Sequence, residues 1–271
     1  MRLRWAPERV ALLPAVLFLL VAFGVPMGAL VSTAAGGSAA SWIPHLADVW
    51  RQPHTRRALL NGVALSSGVS VTAILLCLLP AQLLARGRFR GRGIARILLT
   101  LPLAFSGVIV GFLAIVMLGR VGVVPSLSNA VLGRPLAQGL AYAFPGLFLA
   151  YLFFEIPRAV LALEAAFARL DPELEAAARS LGAGAIVRFR RVTLPLLWPA
   201  LSGTFATTFC VSLGSYGVAL VLSRRFSVLP VEIYQEFTAF GNDTGAAAMS
   251  LWLAAIALTV SILAGARSRY A

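Results

Sequence analysis

Asp171-Pro172-Glu173-Leu174-Glu175-Ala176-Ala177-Ala178-Arg179-Ser180-Leu181-Gly182 is followed, after nine residues, by Val192-Thr193-Leu194-Pro195. This polar, helix-forming stretch lies between two long apolar runs. Asp171 can cap a helix, and Pro172 suits its first turn because that position has no intrahelical use for an N–H. Glu173 and Glu175 fall near the positive end of the helix dipole. Leu174, Ala177, Ala178 and Leu181 supply a small apolar face. Gly182 and Gly184 are read as the breakers that end the helix. The spacing therefore predicts a short rod over Glu173–Gly182, set on the surface between two membrane crossings. Small alanines would let another protein approach it closely, and a push on it would reach both flanking spans.

The rest of the chain supplies the crossings. Hydrophobic residues make up 59% of its 271 positions and charged residues only 12%, about half the charged share of a soluble domain. The apolar residues come in runs of about 20, the length that crosses a hydrocarbon core as helix. Backbone groups in lipid must bond within their own segment, so these runs are helices. Strand-like alternation is absent, which argues against an outer-membrane barrel. The expected fold is an all-α integral membrane protein with about six spans in one membrane domain over residues 1–271. The spans are read as Ala11–Val31, Leu59–Leu84, Ile94–Leu118, Ala137–Ile156, Leu196–Leu222 and Gly245–Ala264. The first run exceeds a signal-peptide core of about 7–15 residues and is read as a retained span.

All 23 basic residues are arginine, against 10 acidic ones. They flank the spans and line no folded surface, which argues for membrane lipid and against nucleic acid as partner. Arg2, Arg4 and Arg9, the run Arg86, Arg88, Arg90, Arg92 and Arg96, those of the 158–195 loop, and Arg267 and Arg269 fall on one side. Fewer fall on the other: Arg51, Arg56, Arg57, Arg120, Arg134, Arg224 and Arg225. The excess predicts that both termini and the 158–195 loop are cytoplasmic. Cys77 and Cys210 lie inside apolar runs as small packing residues. His45 and His54 show no metal-ligand spacing.

The loop resembles the EAA loop of permease subunits of ATP-binding-cassette importers. That pattern runs Glu-Ala-Ala, three residues, Gly, nine residues, then Ile-x-Leu-Pro. Here Gly182 is followed by nine residues and Val192-Thr193-Leu194-Pro195, with Val for Ile. The pattern's alanines fall on Ala177 and Ala178. Its glutamate position is Ala176, a departure that leaves Glu173 and Glu175 as the acids open to the charged contact. The resemblance implies a bacterial inner-membrane permease of the type I fold. Its ATPase-coupling residues would be Glu173, Glu175, Ala177, Ala178, Leu181, Gly182, Leu194 and Pro195. It also implies partners: ATPase subunits, a second permease subunit (identical or homologous) and an extracytoplasmic solute-binding protein. No cofactor is expected in this chain. With no Lys, it has no Gly-x4-Gly-Lys-Ser/Thr loop, so ATP and Mg would be used by the partner ATPase. The segment Leu229–Phe237 resembles the outer region of permeases that import polyamines, thiamine or ferric iron.

Polar residues inside the spans are the candidate pathway. Thr204, Thr208, Ser212 and Ser215 share one helical face, and Tyr216 follows. This stripe reads either as the wall of a translocation route or as hydroxyl-mediated helix packing. Glu155 lies near the inner end of the fourth span. It could meet a cationic substrate, gate the inner mouth, or pair with Arg158. A membrane enzyme would need convergent acids, bases or nucleophiles, and the spans offer little beyond Glu155 and two cysteines. The alternative from another class is a self-sufficient secondary transporter or channel. The expected function is therefore a permease for a small polar or charged solute.

Overall fold

The computed structural model describes residues 7–36, 42–87, 89–134, 138–224 and 226–269. Arg2, Arg4, Arg88, Arg225 and the start of the fourth expected span at Ala137 lie outside the described residues, as do the side chains of Arg9, Arg267 and Arg269. The described residues are overwhelmingly helical and contain no strand. In chain order the helices are α1 (Pro7–Ala34), α2 (Trp42–Arg51), α3 (Pro53–Arg86), α4 (Arg92–Thr100), α5 (Gly107–Leu118), α6 (Val123–Leu132) and α7 (Phe144–Arg169). There follow α8 (Pro172–Ser180), α9 (Ala185–Arg188), α10 (Leu194–Leu213), α11 (Tyr216–Leu222), α12 (Leu229–Thr238) and α13 (Asp243–Arg269).

Among the described residues, six segments are long and apolar enough to cross a membrane: Leu13–Ala34, Pro53–Arg86, Gly107–Leu132, Phe144–Arg169, Ala185–Leu213 and Asp243–Ala266. The third differs from the sequence expectation. Apolarity is continuous from Ile94, but the helix is not. After α4 the chain makes a 3-10 turn at Leu101–Ala104 that contains Pro102, and Ser106 then caps α5 by accepting from the Ile109 N–H. Pro102 withholds a backbone donor, so the third crossing starts at Gly107 and not at Ile94. The fifth expected span is also divided. It ends at Leu213, and an extended Ser215 separates it from α11.

The chain divides into two compact units. One comprises Met1–Arg56 and Glu232–Trp252; the other comprises Arg57–Val231 and Leu253–Ala271. In the first, the Trp50 and Trp252 rings lie 5.2 Å apart, and the Trp252 indole donates to the Leu46 carbonyl at 3.1 Å. In the second, two apolar clusters stack along α3 and α7. One gathers Leu65, Val69, Val110, Leu147, Tyr151, Val218 and Leu222. The other gathers Ala73, Cys77, Ala81, Val160, Leu163, Phe167 and Leu197.

Small residues set how closely these helices approach, as expected where lipid offers no hydrophobic drive between helices. A Cβ on Gly217 of α11 would sit 3.0 Å from the Val108 backbone nitrogen of α5. Large apolar side chains such as Leu75, Leu79 and Phe112 are exposed on the outside of the spans.

Candidate functional site

The loop between α7 and α10 folds into the predicted short helix. The Asp171 carboxylate accepts from the Glu173 N–H at 2.9 Å, and Pro172 occupies the first turn. At the other end Gly182 has φ +78°, the left-handed region. Its N–H donates to the Arg179 carbonyl at 2.9 Å, and the Ala183 N–H donates to the Ala178 carbonyl at 3.1 Å. These two bonds make a Schellman closure, which requires a residue that tolerates positive φ at Gly182. Gly184 behaves differently. Its φ is −63°, and it precedes α9 instead of ending α8.

The nine-residue rod presents two faces. Glu173, Leu174, Ala177 and Leu181 are exposed, Leu181 at 89%. Glu175 and Ala178 are half-buried on the opposite side. This divides the apolar set: Leu174, Ala177 and Leu181 point away from the spans, and Ala178 points toward them. Glu175 is held from two directions. The Arg86 guanidinium at the end of α3 lies 2.8 Å from its Oε1, and the Thr193 hydroxyl donates to the same oxygen at 2.8 Å. Partial burial opposes its ionisation, but the Thr193 hydroxyl and the Arg86 charge, with Arg188 farther off, hold the carboxyl below its ordinary value. Arg86 also donates from Nη2 to the Leu170 carbonyl, at 3.3 Å, where α7 ends.

Downstream, the chain passes through a π-helical turn at Phe189–Thr193 directly into Leu194-Pro195 and α10. Pro195 has no N–H to return to the preceding turn, and the wider π turn lies immediately before it. Leu194 packs against the cluster around Leu163 and Leu197. Of the motif's side chains, Glu175 is the one held at Thr193.

Sequence reasoning missed Arg86. It stood first in an arginine run read as a lipid anchor, and only its place at the end of a span hinted at another use. Two further arginines of that run, Arg92 and Arg96, both reach Glu164 of α7.

Within the spans, Glu155 is 0% exposed and pairs with Arg158 at 3.6 Å. Arg158 also donates to the Phe154 carbonyl at 2.9 Å and lies over the Phe154 ring. Thr204, Thr208 and Ser212 of the hydroxyl stripe are buried, and Ser215 is half-buried. Thr204 donates to the Ala200 carbonyl at 2.8 Å, and Thr208, 1% exposed, donates to the Thr204 carbonyl at 2.9 Å. Ser212 is buried as well, the Ser215 carbonyl accepts from the Tyr151 hydroxyl at 2.7 Å, and Tyr216 packs at the margin of the Leu65–Tyr151 cluster. The Thr204 and Thr208 hydroxyls are satisfied within their own helix. Beside it runs a cavity of 550 Å³ between α7 and α10, where Arg158, Arg169, Thr204, Thr207 and Thr208 contribute polar groups among alanines.

Comparison with known proteins matches residues 73–269 to the model of the family described as binding-protein-dependent transport system inner membrane component. A probable molybdenum ABC transporter permease of Haloferax volcanii is 31% identical over 245 residues, covering 90% of this chain and 85% of that protein. The molybdenum transport system permease protein ModB of Mycobacterium tuberculosis is 34% identical over 223 residues, covering 80% and 81%. The thiamine transport system permease protein ThiP of Brucella suis is 33% identical over 183 residues, covering 67% of this chain but 33% of that protein. Among solved structures, a chain of a bacterial alginate ABC transporter, in complex with an alginate pentasaccharide-bound periplasmic protein, superposes with a TM-score of 0.77. It is 20% identical and covers 97% of this chain and 94% of its own length. At that identity the likeness shows the fold.

Proposed function

The chain belongs to the binding-protein-dependent transport system inner membrane component family, and from that premise we propose that α8 is the element through which its ATPase drives it. As a member, it is the membrane-spanning permease subunit of an ATP-binding-cassette importer, a transport subunit and not an enzyme, with ATP hydrolysis supplied by a separate chain. The reading as a self-sufficient transporter or channel gives way to this membership.

The carrying observation is the exposed face of a rod fixed at both ends. Glu173, Leu174, Ala177, Leu181 and Gly182 form the docking side. Glu175, Ala178, Leu194 and Pro195 form the side that hands motion to the spans. ATP and Mg serve the partner ATPase, and closure of that partner would move α8 and swing α7 and α10 between inward- and outward-open arrangements. This requires the loop and both termini to be cytoplasmic, as the arginine distribution favours. A second permease subunit, identical or homologous, would complete the route across the cavity between α7 and α10, and a solute-binding protein would deliver cargo from outside.

The solute is small and polar or charged. Arg158 on the cavity wall is paired with Glu155, so the charge there that favours an anion is that of Arg169.

Replacing Gly182 with Arg adds bulk and charge at the tip of the docking side. ATPase subunits should then fail to co-purify, and ATP-driven uptake should stop. Retention of both would refute the docking role of α8.

A further inference from the structure

The acid that the importer pattern places at position 176 is missing here, and two neighbouring glutamates remain. They stand in opposite circumstances. Glu173 is exposed and makes no ion pair among the described residues. Glu175 faces inward, and its Oε1 receives both the Arg86 guanidinium and the Thr193 hydroxyl, each at 2.8 Å. The paired side chains of Arg86 and Glu175 are each only 23% exposed, so salt screens this contact less than it would an open surface pair. A charged, short N–H···O contact of this kind is stronger than a neutral one. Arg86 uses a second nitrogen on the Leu170 carbonyl. One guanidinium–carboxylate pair therefore joins four elements: the end of α3, the end of α7, the rod α8, and the turn that leads into α10.

We propose that Glu175 is a positioning residue, an internal strut that locks α8 to α3 through Arg86, and that it is not the acid presented to the ATPase. The consequence is a third route for the stroke. Movement of α8 reaches α7 and α10 through the chain itself, and α3 indirectly through their packing; the Arg86–Glu175 pair adds a direct link from α8 to α3. The inference rests on the docking role of α8 proposed above.

The test uses the complete importer in proteoliposomes, with its ATPase subunits and binding protein. It reads three quantities: ATPase-subunit affinity, ATP turnover, and solute imported per ATP. Glu175→Gln and Arg86→Gln should each leave affinity within about twofold. Each should lower solute per ATP by about tenfold, the scale set by one lost charge-assisted contact. The reciprocal exchange Glu175→Arg with Arg86→Glu should restore most of the loss. Thr193→Val, which removes one of the two contacts without touching charge, should give an intermediate value.

A fall in ATPase affinity of about tenfold with Glu175→Gln, and not with Arg86→Gln, would make Glu175 a docking contact and overturn the proposal. Unchanged solute per ATP in both single variants would also overturn it, as would a loss that the exchange fails to restore. Gly182→Arg in the same assay keeps the two readings apart. If it leaves affinity intact, the docking role of α8 falls, while the exchange still decides the strut.

Discussion

Gly182 and Gly184 lie two positions apart in a loop that reads as breaker-rich, yet the structure asks different things of them. Gly182 holds φ +78°, and no atom lies within 4 Å of where its Cβ would stand. Replacement by Ala therefore brings no clash, only backbone strain, roughly 1–2 kcal/mol for an L-residue forced into the left-handed region. That is about a 5–30-fold shift in a local equilibrium. The strain falls on the closure formed by the Gly182 and Ala183 N–H groups. Asn, which visits this region more readily, should cost less than Ala. Gly184 also has open space around its Cβ, but its φ of −63° suits any residue. Gly184→Ala should be neutral, or stabilising by up to about 1 kcal/mol through the unfolded chain. Hydrogen exchange of the permease in lipid nanodiscs, followed at residues 182 and 183, measures the opening directly. Protection should fall in the order wild type, Gly182→Asn, Gly182→Ala, with Gly184→Ala at or above wild type. Equal loss in both alanine variants, or no advantage of Asn over Ala, would refute the assignment of the helix stop to Gly182.

Two further outcomes follow from the spans. Arg158→Gln leaves the Glu155 carboxylate buried without its partner at 3.6 Å and should cost about 3–5 kcal/mol, read as a lower unfolding temperature in detergent; adding Glu155→Gln should recover most of it, and failure to recover would show that the pair is not the cause. Gly217→Ala places a Cβ 3.0 Å from the Val108 nitrogen, a backbone atom that cannot turn aside, and should lower the same temperature by an amount worth about 1–3 kcal/mol, whereas Gly265→Ala, with nothing within 4 Å, should not.

The loop shows where local chemistry suffices. Asp171, Pro172 and Gly182 act on groups within a few positions of themselves, and each does in the structure what its side chain allows. Glu155 and Arg158 are one helical turn apart, and they pair. Where sequence reading went astray, the deciding contact was remote or the local signal was shared. Gly184 has the same composition cue as Gly182 but a different backbone.

The sequence alone determined that the chain crosses a membrane about six times as helix. Long apolar runs in lipid leave the backbone no other way to bond. It also determined the short rod before Leu194-Pro195, because caps and stops are written in adjacent residues. Only the tertiary structure decided that the third crossing starts at Gly107, that Thr204, Thr208 and Ser212 are buried, and that Arg86 grips Glu175 and Leu170. The Arg86–Leu170 contact joins positions 84 residues apart. No periodicity or spacing encodes such a meeting; it follows from how α3 and α7 pack, and packing depends on the shapes of many side chains at once.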